Sequence, residues 1–276
     1  MTTTITLAHS PDADDAFMFY GLAKNKLDTG DLKFIHELKD IQSLNVDALE
    51  ERYDVTAVSF GMYPRIADRY ALLSSGSSIG DGYGPIVVSR NPMTAAEMAN
   101  QVVAVPGENT SAYIALKLFS PSVKTKTMDF NAIQEAVRDN EVPAGLLIHE
   151  GQLTYHEDGL HKVVDLGEWW KGETGLPLPM GGNAIRRSLG EDVMRRASAI
   201  LKKSIEYSLE HRSEALDYAM QYGRALDKER ADRFVGMWVN ELTIDYGDRG
   251  REAVREFLSR AAAAGLLPEV KSYDFY

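Results

Sequence analysis

The chain of 276 residues contains no cysteine, and this absence removes several chemistries at once. Disulfides, thiolate nucleophiles and cysteine-ligated metals all need that residue, and its lack fits a reducing compartment. No segment approaches the roughly 18 uninterrupted apolar residues of a membrane span. The first eight residues have neither the basic nor the apolar region of an export signal. These features predict a soluble, cytoplasmic protein that contacts no membrane.

Positive charge is also scarce, because 30 lysine and arginine residues are set against 41 aspartate and glutamate residues, for a formal net charge of -11. Non-specific nucleic-acid binding depends on neutralising phosphates, so we expect no nucleic-acid partner. An anionic ligand would need a local binding site that attracts it. With 44% hydrophobic residues, the chain can form one large or two modest cores, and we expect two lobes.

Short apolar runs alternate with helical patterns over the first two-thirds of the chain, which is typical of βαβ units. After Gly182 the pattern turns helical, with an apolar stripe at every fourth residue from Val193 to Leu209. The predicted fold class is α/β with a helical C-terminal third. The predicted strands are Ile5–Ala8, Val55–Val58, Ile86–Val88, Val102–Val105 and Leu146–Ile148. The predicted helices are Asp14–Lys24, Ile41–Glu50, Ser111–Phe119, Asn131–Asp139 (capped by Asp129 or Asn131), Ala215–Tyr222, Lys228–Val239 and Arg249–Ala264.

Two loops rich in glycine, serine or proline, Ser74–Gly84 and Gly175–Gly182, are candidate crossovers between lobes. Prolines cannot donate to a sheet ladder, so the second loop should run extended at an edge or between domains. We therefore predict a discontinuous organisation. Residues 1–88 and 184–276 form the larger lobe, and residues 89–183 form the smaller one.

The apolar run before His149 is typical of a parallel strand that is covered on both faces. Ligands of open α/β sheets bind beyond the carboxyl ends of such strands. Imidazole can take a proton near neutral pH, so His149 is a candidate general base. Its position fits a helix cap or a bond to a backbone carbonyl equally well.

An ordered set of motifs covers nearly the whole chain to about Val270. It comprises Ser10-Pro-Asp-Ala-Asp-Asp-Ala-Phe17, Val58-Ser-Phe60, Gly80-Asp-Gly-Tyr-Gly-Pro85, Val105-Pro-Gly-Glu-Asn-Thr-Ser-Ala112, Leu147-Ile-His-Glu150, Asp165-Leu-Gly-Glu-Trp-Trp170 and Gly175-Leu-Pro-Leu-Pro179. This set resembles the 1,4-dihydroxy-6-naphthoate synthase family of the futalosine route to menaquinone.

The resemblance implies a periplasmic-binding-protein-like (type II) fold, with two α/β lobes around a central cleft. It also implies a carbon–carbon lyase that converts cyclic dehypoxanthine futalosine to 1,4-dihydroxy-6-naphthoate and releases dihydroxyacetone. His149 stands at the family's catalytic base. Such a cleavage needs a proton removed from carbon but no redox cofactor, because formation of the aromatic product drives it. We expect no cofactor.

The partner implied is a small aromatic carboxylate. The segment before Ala112 ends a strand and opens a helix, where backbone N–H groups lack helical partners and the dipole is positive. Plain N-capping by Thr110 or Ser111 explains the same pattern. The resemblance implies ligand contacts at Ser111 and Ala112. It implies further contacts at the end of the second predicted strand, at Ala57 (through its backbone), Val58 and Ser59.

Asp12, Asp14 and Asp15 form an acidic cluster. We interpret them as complementing a helix dipole, not as metal ligands, because no histidine or second carboxylate group lies nearby in sequence. Ser10 and Asp14 remain candidates for substrate contact.

Three functions compete at this point: the naphthoate synthase, the related chorismate dehydratase of the same pathway, and a non-catalytic carboxylate-binding protein. The missing export signal disfavours the last, and the motifs at 147–150 and 175–179 favour the first. Asn183 departs from the family, where an apolar residue is expected. Monomer and homodimer both remain open.

Overall fold

The computed structural model describes residues 2–222 and 227–276, which form two β-sheets with helices packed around them. The strands are β1 (Thr3–His9), β2 (Leu32–Leu38), β3 (Val55–Ser59), β4 (Tyr70–Leu72), β5 (Ser78–Gly80), β6 (Ile86–Ser89), β7 (Val102–Val105), β8 (Lys124–Thr127), β9 (Ala144–Leu147), β10 (His161–Asp165) and β11 (Leu178–Arg186). The helices are α1 (Ala13–Met18), α2 (Tyr20–Ala23), α3 (Ile41–Leu49), α4 (Ala95–Met98), α5 (Ser111–Phe119), α6 (Ile133–Arg138), α7 (Gly151–Thr154), α8 (Leu166–Thr174), α9 (Glu191–Glu210), α10 (Arg212–Ala219), α11 (Lys228–Trp238), α12 (Glu241–Ile244) and α13 (Gly247–Ala263). Within these ranges, no helix has the length and apolar character needed to cross a membrane.

The two sheets confirm the predicted α/β class. The first has the order β2-β1-β3-β11-β4, with β5 paired to β11, and the second has the order β10-β6-β9-β7-β8. Strand β9 lies at the centre of the second sheet, parallel to β7 and antiparallel to β6, and its residues are buried. It ends at Leu147, so Ile148 opens the turn and is not its last residue as predicted.

Several predicted helix boundaries were wrong. The helix expected over Asp14–Lys24 is interrupted at Phe19, whose ring packs on His9 with centroids 4.6 Å apart. Helix α6 has Ala132 at its N-cap, because the Asp129 carboxylate instead accepts the N–H of Asn131 in a local turn. The C-terminal helical region begins only at α9, since β11 continues to Arg186.

The C-terminal helices cover the first sheet. On α9, Ala197, Leu201 and Ile205 of the predicted stripe are buried, whereas Val193 and Leu209 are half-buried at its ends. The predicted helices near 215, 228 and 249 correspond to α10, α11 and α13. The last residues of the chain lie against β4, where Leu72 accepts the N–H of Tyr276 at 2.9 Å.

We propose that each sheet is the centre of one lobe. The first sheet contains the strands up to Gly80 and the strand that begins at Leu178. The second sheet contains the strands between them. The expected borders at 88/89 and 183/184 fall inside β6 and β11, so we place the crossings at 81–85 and 175–177. The second crossing leads into β11, whose first residues pair with β5, which agrees with the extended conformation predicted around Pro179.

One apolar core continues from the first sheet to the second. Val58 of β3 and Phe60, just after that strand, belong to the same buried cluster as Val103 and Val105 of β7. Trp170 of α8 is fully buried in this cluster and donates its indole N–H to the Pro177 carbonyl at 3.1 Å. The two sheets therefore share one apolar core.

We predict that Gly167→Ala destabilises the protein by about 1–3 kcal/mol, because its Cβ would overlap the backbone of Tyr83 in the first crossing. The matched control on the same helix is Gly172→Ala, which has open space around its Cβ. Alanine is the better helix former, so this variant should be unchanged or up to about 1 kcal/mol more stable. Urea unfolding measures both, and equal stability of the two variants would contradict this packing.

Candidate active site

A cavity of about 120 Å³ is lined by residues that follow strands of both sheets. All of the residues singled out from the sequence line it, although their roles in binding and catalysis stay predictions. They are Ser10, Asp14, Ala57, Val58, Ser59, Thr110, Ser111, Ala112 and His149.

The carboxyl end of β3 forms one wall, and a single buried amide fixes it. The Asn45 side chain on α3 accepts the N–H of Ser59 at 2.9 Å and donates to the Ser59 hydroxyl at 3.1 Å. It also donates to the carbonyl of Asn109 at 3.4 Å, just before α5. Asn45 therefore couples two wall segments, a role that the sequence pattern did not reveal.

Helix α5 begins at this wall. Thr110 is its N-cap, and its hydroxyl accepts the N–H of Tyr113 at 3.2 Å and donates to the Gly107 carbonyl at 2.7 Å. The Ser111 hydroxyl accepts the N–H of Gly61 at 3.0 Å. The plain capping interpretation is therefore correct for Thr110. Since the first N–H groups of any helix lack helical acceptors, the same turn also suits an anion.

His149 lies two residues beyond β9 and one residue before the N-cap of α7. Its side chain is buried, at 7% exposure, and lines the cavity. The ring of Phe130 packs against it edge-on, with centroids 4.4 Å apart. This contact restricts the orientation of the imidazole. The strand-end position predicted from the sequence is confirmed.

The acidic cluster of α1 lines the same cavity and is more than a helix-dipole feature. Asp15 accepts the N–H of Ser10 at 2.8 Å, and Asp12 accepts the Ser10 hydroxyl at 2.6 Å. Burial, and then the charges of neighbouring carboxylates including Glu150, raises the pKa of Asp14 well above its usual range. Burial likewise raises the pKa of Asp15 to about 7, although the Ser10 N–H opposes the shift.

In the described parts of the chain, no cluster of three or more histidine, aspartate and glutamate side chains is arranged to hold a metal ion.

Sequence reasoning missed much of the remaining wall, which comes from distant elements. Phe234 and Trp238 of α11 line the cavity, as do Gly76 and Ser78 around β5. Asn183, where an apolar residue was expected, is buried and donates to the Gly76 carbonyl at 2.9 Å. A Cβ on Gly76 would overlap the Asn183 amide, so these two residues fit as a pair. Asp12 and Asp15, which we interpreted as helix-dipole residues, also line the cavity. The other residues that sequence reasoning missed are Ile41, Pro85, Phe130, Ile148, Met180, Gly181 and Gly182.

The raised pKa of Asp15 predicts a pH-dependent stability. Because its pKa moves from 3.8 to about 7 on folding, the folded protein holds this proton after the unfolded chain has lost it. The free energy of unfolding should therefore fall as pH rises from about 4 to about 7, and Asp15→Asn should reduce that fall. Urea unfolding between those pH values measures it. Asp248→Asn, at an exposed position on α13, should keep the wild-type slope, and an equal slope in all three proteins would contradict the prediction.

The fold has close relatives of known structure. Protein AF1704 from Archaeoglobus fulgidus superposes with a TM-score of 0.92 at 44% identity, covering 96% of this chain and 98% of that one. A Candida albicans protein, CA3427, described as having the generic periplasmic binding protein fold, gives a TM-score of 0.73 at 14% identity, covering 98% and 92%. Two α/β lobes around a central cavity define a fold of the periplasmic-binding-protein-like class.

Similarity in sequence identifies one family within this class. A family model described as "Menaquinone biosynthesis" matches residues 5–263, and the chain belongs to that family. A Thermus thermophilus protein named 1,4-dihydroxy-6-naphtoate synthase is 39% identical over 262 residues, covering 95% of each chain. A Streptomyces coelicolor protein of the same name is 36% identical over 271 residues, covering 96% of this chain and 95% of that one.

Proposed function

We propose that the protein is a 1,4-dihydroxy-6-naphthoate synthase, a carbon–carbon lyase that acts on cyclic dehypoxanthine futalosine and releases dihydroxyacetone. The observation that carries the proposal is the enclosure of His149 in the same cavity as the first turn of α5 and the end of β3. The names of the curated relatives support the same assignment.

The first turn of α5 is the proposed site for the substrate carboxylate. Backbone N–H groups at Ser111 and Ala112 and the positive end of the helix dipole favour negative charge there. Ser59 and Val58 border the same position from β3. An anion site built from backbone groups needs no lysine or arginine, which suits a chain of net charge -11.

His149 is the proposed base that removes a proton from a substrate carbon. Its ring is oriented by Phe130, and at 7% exposure it has little contact with water. The substrate and the naphthoate product each carry one carboxylate, so the reaction changes no net charge. The proton that His149 accepts is therefore returned as the fragments separate. The net reaction consumes no proton and needs no redox partner.

We predict that His149→Asn lowers kcat at least about 100-fold, because general-base catalysis contributes about that much or more. The assay follows 1,4-dihydroxy-6-naphthoate by absorbance and mass, with product binding measured by calorimetry. His156→Asn, at an exposed position, is the control and should retain full activity.

Equal turnover by wild type and His149→Asn would remove His149 from the mechanism. Wild-type binding without turnover would favour a binding protein, and turnover of chorismate in its place would favour the dehydratase.

A second prediction concerns the carboxylate. The carboxamide of the naphthoate product should bind at least about tenfold more weakly than the acid, because hydrogen bonds to charged groups contribute about 1.5–3 kcal/mol. Calorimetry at constant pH measures both affinities. If the acid and the amide bound equally, the α5 turn would not be the anion site.

A further inference from the structure

The two ends of the cavity differ in their chemistry. At one end, β3 and the start of α5 are tied together through Asn45 and through the bond from Gly61 to Ser111. At the other end, α11 packs on α1 and β5 and brings aromatic side chains beside the carboxyls of α1. The proposed roles of His149 and of the α5 turn leave the second end without an assigned ligand group.

Trp238, the last residue of α11, is the main feature of this second end. It lines the cavity and is only 4% exposed, and its indole N–H has no hydrogen-bond acceptor among the described residues. The residue is nevertheless fixed in place, because its carbonyl accepts the Thr243 hydroxyl at 2.8 Å and its ring packs edge-on against Tyr83. A buried donor without an acceptor is unfavourable, so a ligand oxygen would satisfy it.

The polar groups near Trp238 favour a hydroxylated ligand over an anion. Ser78 on β5 donates its hydroxyl to the Asp14 carboxyl at 3.4 Å, and both residues line this end. Carboxyl groups accept hydrogen bonds from hydroxyl groups and supply no positive charge that would attract a carboxylate. An indole donor beside a carboxyl and a serine hydroxyl therefore suits a ligand carrying several alcohol or carbonyl oxygens.

We propose that Trp238 donates its indole N–H to an oxygen of the hydroxylated three-carbon portion of the substrate, which is the part released as dihydroxyacetone. This inference rests on the proposed function and adds a specificity residue to it. The substrate then spans the cavity, with its carboxylate at α5 and its three-carbon portion at α11. The naphthoate product lacks that portion and leaves the indole donor without a partner.

Kinetics of Trp238→Phe test the inference, because this change removes the N–H and keeps an aromatic ring. We expect kcat/KM for the substrate to fall about three- to tenfold, as for loss of one hydrogen bond, while the inhibition constant of the naphthoate product stays within about twofold. Trp169→Phe is the matched control. Trp169 packs on Phe119 outside the cavity lining, so its loss should change neither value.

A second measurement, by NMR, detects the hydrogen bond from the Trp238 indole directly. The chain has three tryptophans, so ¹⁵N-labelling of the indoles gives three N–H signals, which the two phenylalanine variants assign. In a His149→Asn background, where turnover is slowed, the Trp238 proton should shift downfield on addition of substrate and much less on addition of product. The Trp169 signal should not move.

The outcomes separate the two claims. Wild-type protein that makes no naphthoate refutes the proposed function and this inference together. Wild-type turnover with an unchanged kcat/KM in Trp238→Phe, or with an equal loss of product affinity, refutes the inference alone. If Trp238→Phe fails to fold, Trp169→Phe still assigns one indole signal, and the other two decide in the His149→Asn background. If neither of them shifts more with substrate than with product, the proposal is overturned.

Discussion

Desolvation of the Asp14 and Asp15 carboxyls, which line the cavity, is the constraint on which the electrostatics of the site depend. Two ionised carboxylates there would repel the anionic ligand that the α5 turn is suited to bind, and the chain already carries a net charge of -11. Desolvation raises the pKa of both groups, so the proton stays on the carboxyl at pH values where an exposed aspartate is ionised. Neutral carboxyls can then bind hydroxyl groups, and the ligand's negative charge is left to the opposite end.

The site exists because two sheets contribute to one cavity. His149 follows a strand of the second sheet, whereas the carboxyls and Ser59 follow strands of the first, and α11 closes the remaining side from the C-terminal region. A continuous apolar core holds the sheets together behind the cavity. Asn45 adds a polar link, since its buried amide fixes the end of β3 relative to the segment before α5. Distant parts of the chain thereby present one connected surface to a ligand.

The strands and α5 were predictable because they are short and their hydrophobic patterns are strong. The errors fall where local signals compete with tertiary packing. Asp129 resembles a helix cap but closes a turn, and β11 continues past Gly182 because β3 and β4 both supply hydrogen-bond partners. The carboxylates of α1 fit a helix-dipole pattern, and only the tertiary structure shows that they line one cavity together. Trp238 carries no motif, so its place in the wall could not be read from its neighbours in sequence.

The sequence by itself determined the α/β class, the absence of thiol chemistry, the strand-end position of His149 and the family resemblance, because these depend on composition, local periodicity and the order of motifs. Only the tertiary structure decided that Asp14, Ser78 and Trp238, which lie far apart in sequence, line one cavity. It also decided the raised pKa of Asp14 and of Asp15. The physical reason is that burial and proximity are set by the packing of distant segments, and desolvation, close carboxyl contacts and an unsatisfied indole donor arise only once that packing is complete.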